Sequence, residues 1–500
     1  MSASAKVEDV ARGLRWAARE RNIWLGTIAL IAPVLGVLLG RWPMPTLVVL
    51  VVLAVSIGTV WSQEVALGAI LFSSLLMLGT MSWFELPDQA ALLTKALVGL
   101  FALAALLEVG PKNPLRVPVS LVLFMAVLIV SATFGASDRF HALQSLGAYI
   151  AGPLAYVAIV HSSIAINSLR RLTLLVLAVV VAQLPIVMVQ TQVFGARVDR
   201  LGGTFGTHGG TGVLAIVMAV AWTIAVALLR GRKRVWLLPV GLAVVLLLLV
   251  TEAKAGFLFA AVGTIGVGLT QAVANPRRGP WVVLKYGAMA VASVAALFAG
   301  LVYAGSYLPI GKASSEYWIA WLQSPSTIIA YLFSYGPGGQ AGRLEGVRLV
   351  LSQSRTIADL LIGRGPGLLS SSALLGENVA PSSAVYGATF DWATSATRSL
   401  LETGLLGTLL YVTAIGSAVG AVVSSWASRA NELGVAVGAA AVGSAVVYVA
   451  GGFYATPWFT DATAVSFWCL LGIAVKWGRA LSGHDAQLDP LNTALGGIDI

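Results

Sequence analysis

Apolar residues fill this chain in blocks of about twenty, the length that crosses a hydrocarbon core, and short polar interruptions separate the blocks. The blocks fall at 23–40, 44–61, 65–83, 90–109, 117–134, 143–162, 172–191, 210–229, 235–251, 255–273, 282–304, 399–424, 433–453 and 463–478. Within them the apolar residues do not alternate with polar ones, as strands of a membrane barrel would. Backbone groups in lipid have to be satisfied inside their own segment, so the blocks predict helices. The weakest division lies between 235–251 and 255–273, where little more than Glu252 and Lys254 interrupts the run. The pattern as a whole predicts an all-α, polytopic membrane helix bundle of about 14 transmembrane helices.

Composition sharpens this. The 500 residues are 58% hydrophobic and 10% charged, against about 25% charged in a soluble domain. The formal net charge of +10 follows topology, so no nucleic-acid partner is expected. Basic residues gather in alternate connections: Arg12, Arg15, Arg19 and Arg21; Arg170 and Arg171; Arg230, Arg232, Lys233 and Arg234; Arg277 and Arg278. The positive-inside rule puts these connections and both termini in the cytoplasm. In the first segment Val7, Val10, Leu14 and Ala18 share a helical face, which suggests a helix lying on the inner leaflet. The first apolar run follows that charged stretch and lacks an A-x-A-like site, which argues against a cleavable signal.

One connection breaks the rhythm. Residues 305–398 form a long loop on the outer side, and long loops of this kind are functional or disordered. Trp318, Trp321, Ile328, Ile329, Tyr331 and Phe333 argue against disorder. Pro325 should divide its first part, and an amphipathic helix is expected from Ala341 to Leu361 with Leu344, Val347, Leu351 and Leu361 near one face. The expected organisation is therefore a cytoplasmic amphipathic segment (1–22), transmembrane helices 1–11 (23–304), a large structured extracytoplasmic loop containing short helices (305–398), helices 12–14 (399–478) and a cytoplasmic tail (479–500).

Three outer-side clusters combine cations with glycine. Arg197-Val-Asp-Arg200-Leu-Gly-Gly-Thr-Phe-Gly precedes a helix, where backbone N–H groups and a helix N-terminus could converge on an anion and Arg200 could grip a phosphate. Its plain alternative is a flexible loop with snorkelling arginines. Gly338-Gly-Gln-Ala-Gly-Arg343-Leu-Glu345-Gly-Val-Arg348 lies in the large loop, and the spacing of its two arginines lets only one of them point at a given site. Their plain alternative is contact with lipid headgroups. Thr251-Glu252-Ala-Lys254-Ala-Gly256 sits between apolar runs, where ionisable residues are functional candidates or a simple Glu–Lys turn. Lys95, inside a span, reads as a lysine snorkelling outward. Gly363-Arg-Gly365-Pro-Gly367 lacks the βαβ setting of a dinucleotide site. The single cysteine, Cys469, and the scattered histidines 141, 161, 208 and 484 have no metal-ligand spacing. No metal site and no cofactor are expected.

Taken in order, Arg200-x-Gly-Gly-Thr-Phe-Gly, Thr251 to Gly256, Gly342-Arg343 followed by a helix and Leu361-Ile-Gly-Arg-Gly365-Pro-Gly367, and Leu400-Leu-Glu402-Thr-Gly404-Leu-Leu-Gly407 resemble the motifs of the O-antigen ligase and polymerase superfamily of bacterial membrane glycosyltransferases. Lys254 stands where that family has arginine. The resemblance implies transfer of a saccharide from an undecaprenyl-diphosphate-linked donor to a sugar hydroxyl of a glycan or lipid-glycan acceptor, at the outer face of the bacterial cytoplasmic membrane. By the same resemblance Arg200 and Arg343, with Lys254 and Arg348, would bind the diphosphate, whose developing charge preorganised cations stabilise without a metal. The family's His-Asn pair falls on Ala393 and Thr394, so the base is left to Asp391, Glu402, Glu345 or His208. Two other functions fit the residues: a flippase for a lipid-linked sugar, and a non-catalytic scaffold of an envelope-assembly complex. A flippase has less need of the loop and should keep its cations inside the bundle.

Overall fold

From residue 90 onward every apolar block becomes a helix. The computed structural model describes residues 62–77, 92–108, 117–135, 139–194, 201–205, 210–228, 238–251, 254–274, 276–307, 332–335, 339–354, 356–369, 380–391, 393–427 and 432–481, with isolated positions 324 and 326. The expected spans 23–40 and 44–61, the inner-leaflet helix of 1–22, most of the 479–500 tail, and Trp318, Trp321 and Pro325 lie outside the described residues. The bundle helices are α1 (Gln63–Phe72), α2 (Leu92–Glu108), α3 (Val119–Phe134), α4 (Arg139–His161), α5 (Ile166–Phe194), α6 (Gly210–Leu228), α7 (Leu238–Val250), α8 (Lys254–Ala274) and α9 (Gly279–Tyr307). The large loop contributes α10 (Glu345–Gln353), α11 (Ile357–Ile362) and α12 (Ser382–Tyr386), and the chain ends in α13 (Ser395–Ala427), α14 (Glu432–Gly451) and α15 (Asp461–Leu481). Among the described residues there is no strand, only an isolated bridge between Tyr335 and Ala341.

Six of these helices are long and apolar enough to cross a membrane: His141–His161, Ile166–Val193, Gly210–Leu228, Ala255–Ala274, Ser395–Trp426 and Gly434–Gly451. The surface of the helices as a whole fits a lipid surrounding. Leu103, Leu107, Val119, Phe134, Val193, Leu242 and Val273 are all more than half exposed, whereas Gln183, Gln190, Thr223, Thr251 and Glu402 are wholly buried. Water would penalise the first set; lipid would penalise exposure of the second.

Where the apolar driving force between helices is absent, association rests on close packing and small residues. Helix α8 packs on α6, α9 and α14. At the centre, a Cβ on Gly443 of α14 would lie 2.8 Å from the Gly263 carbonyl oxygen of α8 and 2.6 Å from Thr223 Cγ2 of α6. Gly443→Leu is therefore expected to destabilise the bundle by about 1–3 kcal/mol through overpacking. The thermal midpoint of the detergent-solubilised protein should fall, with Gly416→Leu, which has nothing within 4 Å of its Cβ, as the unaffected control.

The loop departs from expectation. The helix foreseen over Ala341–Leu361 is two helices, because Ser354 is extended (φ −64°, ψ 111°) and Thr356 caps a new start by accepting from the Asp359 N–H. Its expected apolar face is not the buried one: Leu351 and Leu361 are exposed, and Gly346 and Val350 turn inward.

Candidate functional site

Among the described residues, the loop is fastened to the bundle by backbone contacts at a kink in α13. Helix α13 is interrupted at Gly404 (φ 70°, ψ −174°), which releases the carbonyls of its first turns from helical bonding. The turn at 363–369 takes them up: the Arg364 N–H donates to the Leu401 carbonyl (2.9 Å) and the Gly365 N–H to that of Glu402 (3.0 Å). Ser131 at the end of α3 also donates to the Glu402 carbonyl (2.6 Å). Contact is backbone on backbone. A Cβ on Gly363 would lie 2.5 Å from the Glu402 carbonyl carbon, and one on Gly404 would lie 2.6 Å from the Gly363 nitrogen. Both glycines have positive φ, as do Gly365 and Gly367, so neither space nor conformation admits a side chain.

The Glu402 side chain completes this clasp. It is fully buried and accepts three hydrogen bonds: from the Tyr149 hydroxyl of α4 (2.7 Å), from the Leu369 N–H of the loop (2.9 Å) and from Arg398 Nε one turn earlier (3.3 Å). Arg398 in turn reaches Ser145 Oγ (3.4 Å) and lies over the Phe459 ring (5.0 Å). On the neighbouring face of α4, Lys95 of α2 forms an ion pair with Asp461 of α15 at 3.1 Å, and its stem lies against Gly147. Lys95 is thus tied inward, correcting the outward-snorkelling expectation.

Arg343 and the helices α6 and α8 meet a second turn, residues 452–460 between α14 and α15. Arg343, half-buried, lies over the Tyr454 ring at 5.5 Å. Tyr454 packs edge-on against Phe259 of α8, the helix that Lys254 opens. Ala455 packs against Gly212 at the start of α6, the helix the Arg200 cluster precedes. Arg200 and the Lys254 side chain lie outside the described residues.

The expected anion nest at Gly202–Phe205 has a different use. Gly203 N–H donates to Gln190 Oε1 (2.8 Å), Thr204 N–H to Gln183 Oε1 (2.9 Å), and Thr204 Oγ1 to the Leu75 carbonyl (2.5 Å). Those N–H groups are consumed inside the bundle, and Leu75 sits in the π-helical segment Ser73–Met77, whose widened turn spares a carbonyl. Thr204→Val is expected to cost about 1–3 kcal/mol by leaving buried partners unmet, read as a lower thermal midpoint.

The remaining expected residues are placed as follows. Arg348 is largely exposed and bonded to Glu345 at 2.8 Å, and Glu345 is buried beneath it; only Arg343 of the two arginines faces the turn. Asp391 is exposed at the end of the 3₁₀ turn Gly387–Phe390. Ala393 packs into the apolar patch of Val350, Phe390, Leu400 and Leu401, and Thr394 caps α13 by accepting from the Thr397 N–H (3.2 Å). Tyr149, Arg398, Asp461 and His141 escaped sequence reasoning. Only Arg398 carried a signal, one helical turn before Glu402. No His/Cys/Asp/Glu group able to hold a metal occurs among the described residues. The chain matches no protein-family model, and no curated protein matches it in sequence.

Proposed function

We propose that this chain is a glycan polymerase or ligase of the O-antigen ligase and polymerase type. It moves a saccharide from an undecaprenyl-diphosphate-linked donor to a sugar hydroxyl at the outer face of a bacterial cytoplasmic membrane. About fourteen spans, an outer 305–398 loop and cytoplasmic termini belong to the same reading. What supports it is the approach of three stretches to the 452–460 turn: Arg343 over Tyr454, Phe259 of α8 against the same ring, and Gly212 near the start of α6 against Ala455. These stretches are far apart in the chain and were singled out separately for phosphate chemistry. Stacking on Tyr454 fixes the plane of the Arg343 guanidinium, the arrangement needed for a two-pronged grip on a diphosphate. As the sugar leaves, charge grows on that diphosphate, and a cation already in place stabilises it. Glu402, bound by three donors, positions the loop rather than taking the acceptor's proton.

The test is the lipid-linked glycan pool, by mass spectrometry with leaflet assignment, in cells lacking the protein and in cells carrying only Arg343→Ala. Outer-leaflet precursor should accumulate in both. Accumulation on the inner leaflet would instead identify a flippase, and an unchanged pool a scaffold. In vitro, Arg343→Ala should lower transfer about 10²–10³-fold, Arg343→Lys should recover little, and a chelator should leave the rate unchanged. A strict metal requirement would refute the mechanism.

A further inference from the structure

An attacking sugar hydroxyl needs a proton acceptor within reach, and among the described residues the carboxylates near the loop, Asp391 apart, are already engaged. Glu402 lies 3.3 Å from Arg398, Glu345 2.8 Å from Arg348, Asp461 3.1 Å from Lys95 and Asp359 3.6 Å from Arg364. Asp391 is exposed on the loop surface.

Helix α4 offers another group. His141, Ser145 and Tyr149 recur every fourth residue, so they share one face, and all three are buried. This polar row faces α13: Tyr149 bonds Glu402 and Ser145 meets Arg398. His141 is the outermost member. The loop rests directly on it, since a Cβ on Gly367 would lie 2.5 Å from both the carbonyl carbon and the oxygen of His141. Two residues on, Leu369 is held by Glu402, and Leu368 and Leu369 pack in the same patch as Ala393. His161, the other described histidine, lies twenty residues further along the same helix, roughly 30 Å away.

We propose that His141 is the catalytic proton acceptor of the transfer reaction, placed where α4 meets the loop turn. The assignment rests on the glycosyltransferase reading. The hydroxyl O–H bond breaks and its proton goes to the imidazole. The oxygen forms the new bond to the anomeric carbon, and the bond from that carbon to the diphosphate oxygen breaks, its electron pair leaving on the diphosphate. The imidazolium then returns its proton to water. Ser145, Arg398 and Glu402 hold the row and the turn in register, with Lys95 and Asp461 as the remaining charged groups against this part of α4. The turn, with positive φ at Gly363, Gly365 and Gly367, covers His141.

The experiment uses the full-length protein in liposomes, with the undecaprenyl-diphosphate-linked oligosaccharide pool from cells lacking it as donor, and that pool together with the glycolipids of the same cells as acceptor. His141→Gln should lower kcat about 10²–10⁴-fold with donor KM unchanged. Asp391→Asn should transfer at the wild-type rate. If the glutamine variant does not fold, His141→Ala with added imidazole takes its place, and transfer should return with imidazole concentration. Wild-type kcat in His141→Gln, no imidazole rescue, or loss of activity in Asp391→Asn instead would each overturn the assignment while leaving the enzyme reading intact. A wild-type protein that transfers nothing would overturn the enzyme reading itself.

Discussion

Replacing Glu402 with alanine is expected to cost roughly 3–5 kcal/mol, because it strands a buried cation. The effect should appear as a lowered thermal midpoint of the solubilised protein and as new protease cleavage within 363–369. The carboxylate is the joint of four segments: α4 through Tyr149, the loop through Leu369, and α13 through Arg398 by its side chain, with α3 reaching its carbonyl through Ser131. Alanine removes all three side-chain bonds and leaves Arg398 with a side chain only 16% exposed. The controls separate structure from chemistry. Glu402→Gln keeps an oxygen for the Leu369 N–H and sets its amide NH2 against the Tyr149 hydroxyl, which can turn to accept, so it should fold and retain most activity. The double variant Glu402→Leu/Arg398→Leu removes both charges and should be more stable than Glu402→Ala. A well-folded but inactive Glu402→Gln would make Glu402 a reacting group after all.

Asp461→Ala should destabilise the protein by a similar amount, about 3–5 kcal/mol. Lys95 and Asp461 join α2 to α15 with side chains only 21% and 6% exposed, and neither can regain hydration without moving a helix. Polar contacts surround them: Thr94 donates to Ser73 (3.1 Å), and Ser74 and Ser466 lie 3.5 Å apart. The test is a double-mutant cycle. Lys95→Met/Asp461→Leu should recover most of what either single change loses, which isolates the pair from the surrounding packing. If the double variant is as unstable as the sum of the singles, the two residues act independently and the bridge contributes nothing.

Helix positions were legible because lipid leaves the backbone no other choice. The helices found at 92–108, 119–134, 139–161 and 210–228 lie close to the apolar blocks. Even the weak division at Glu252 proved real, with α7 ending at Val250 and α8 starting at Lys254. The polar groups were harder to read because their partners are remote in sequence. Lys95 looked like a snorkelling lysine only while Asp461, 366 residues away, was unknown. Gly202–Phe205 looked like an anion nest until Gln183 and Gln190 were seen to occupy its N–H groups. Gly363–Gly367 could be read only as no dinucleotide site and as part of a family pattern, since its structural use lies in the carbonyls of Leu401 and Glu402 before Gly404. Of the expected cations, the structure brings Arg343 to the 452–460 turn and sends Arg348 outward to Glu345; helical spacing had already separated the two.

The clasp between loop and α13 has a consequence for how such a protein diversifies. On the loop side its donors are the main-chain N–H groups of Arg364, Gly365 and Leu369, which every residue but proline possesses. Those bonds therefore survive a change of side chain at 364, 368 or 369, although such a change disturbs the Arg364–Asp359 pair and the packing of Leu368 and Leu369. Gly363 and Gly404 are not spared in that way, because there the two backbones meet where a Cβ would stand.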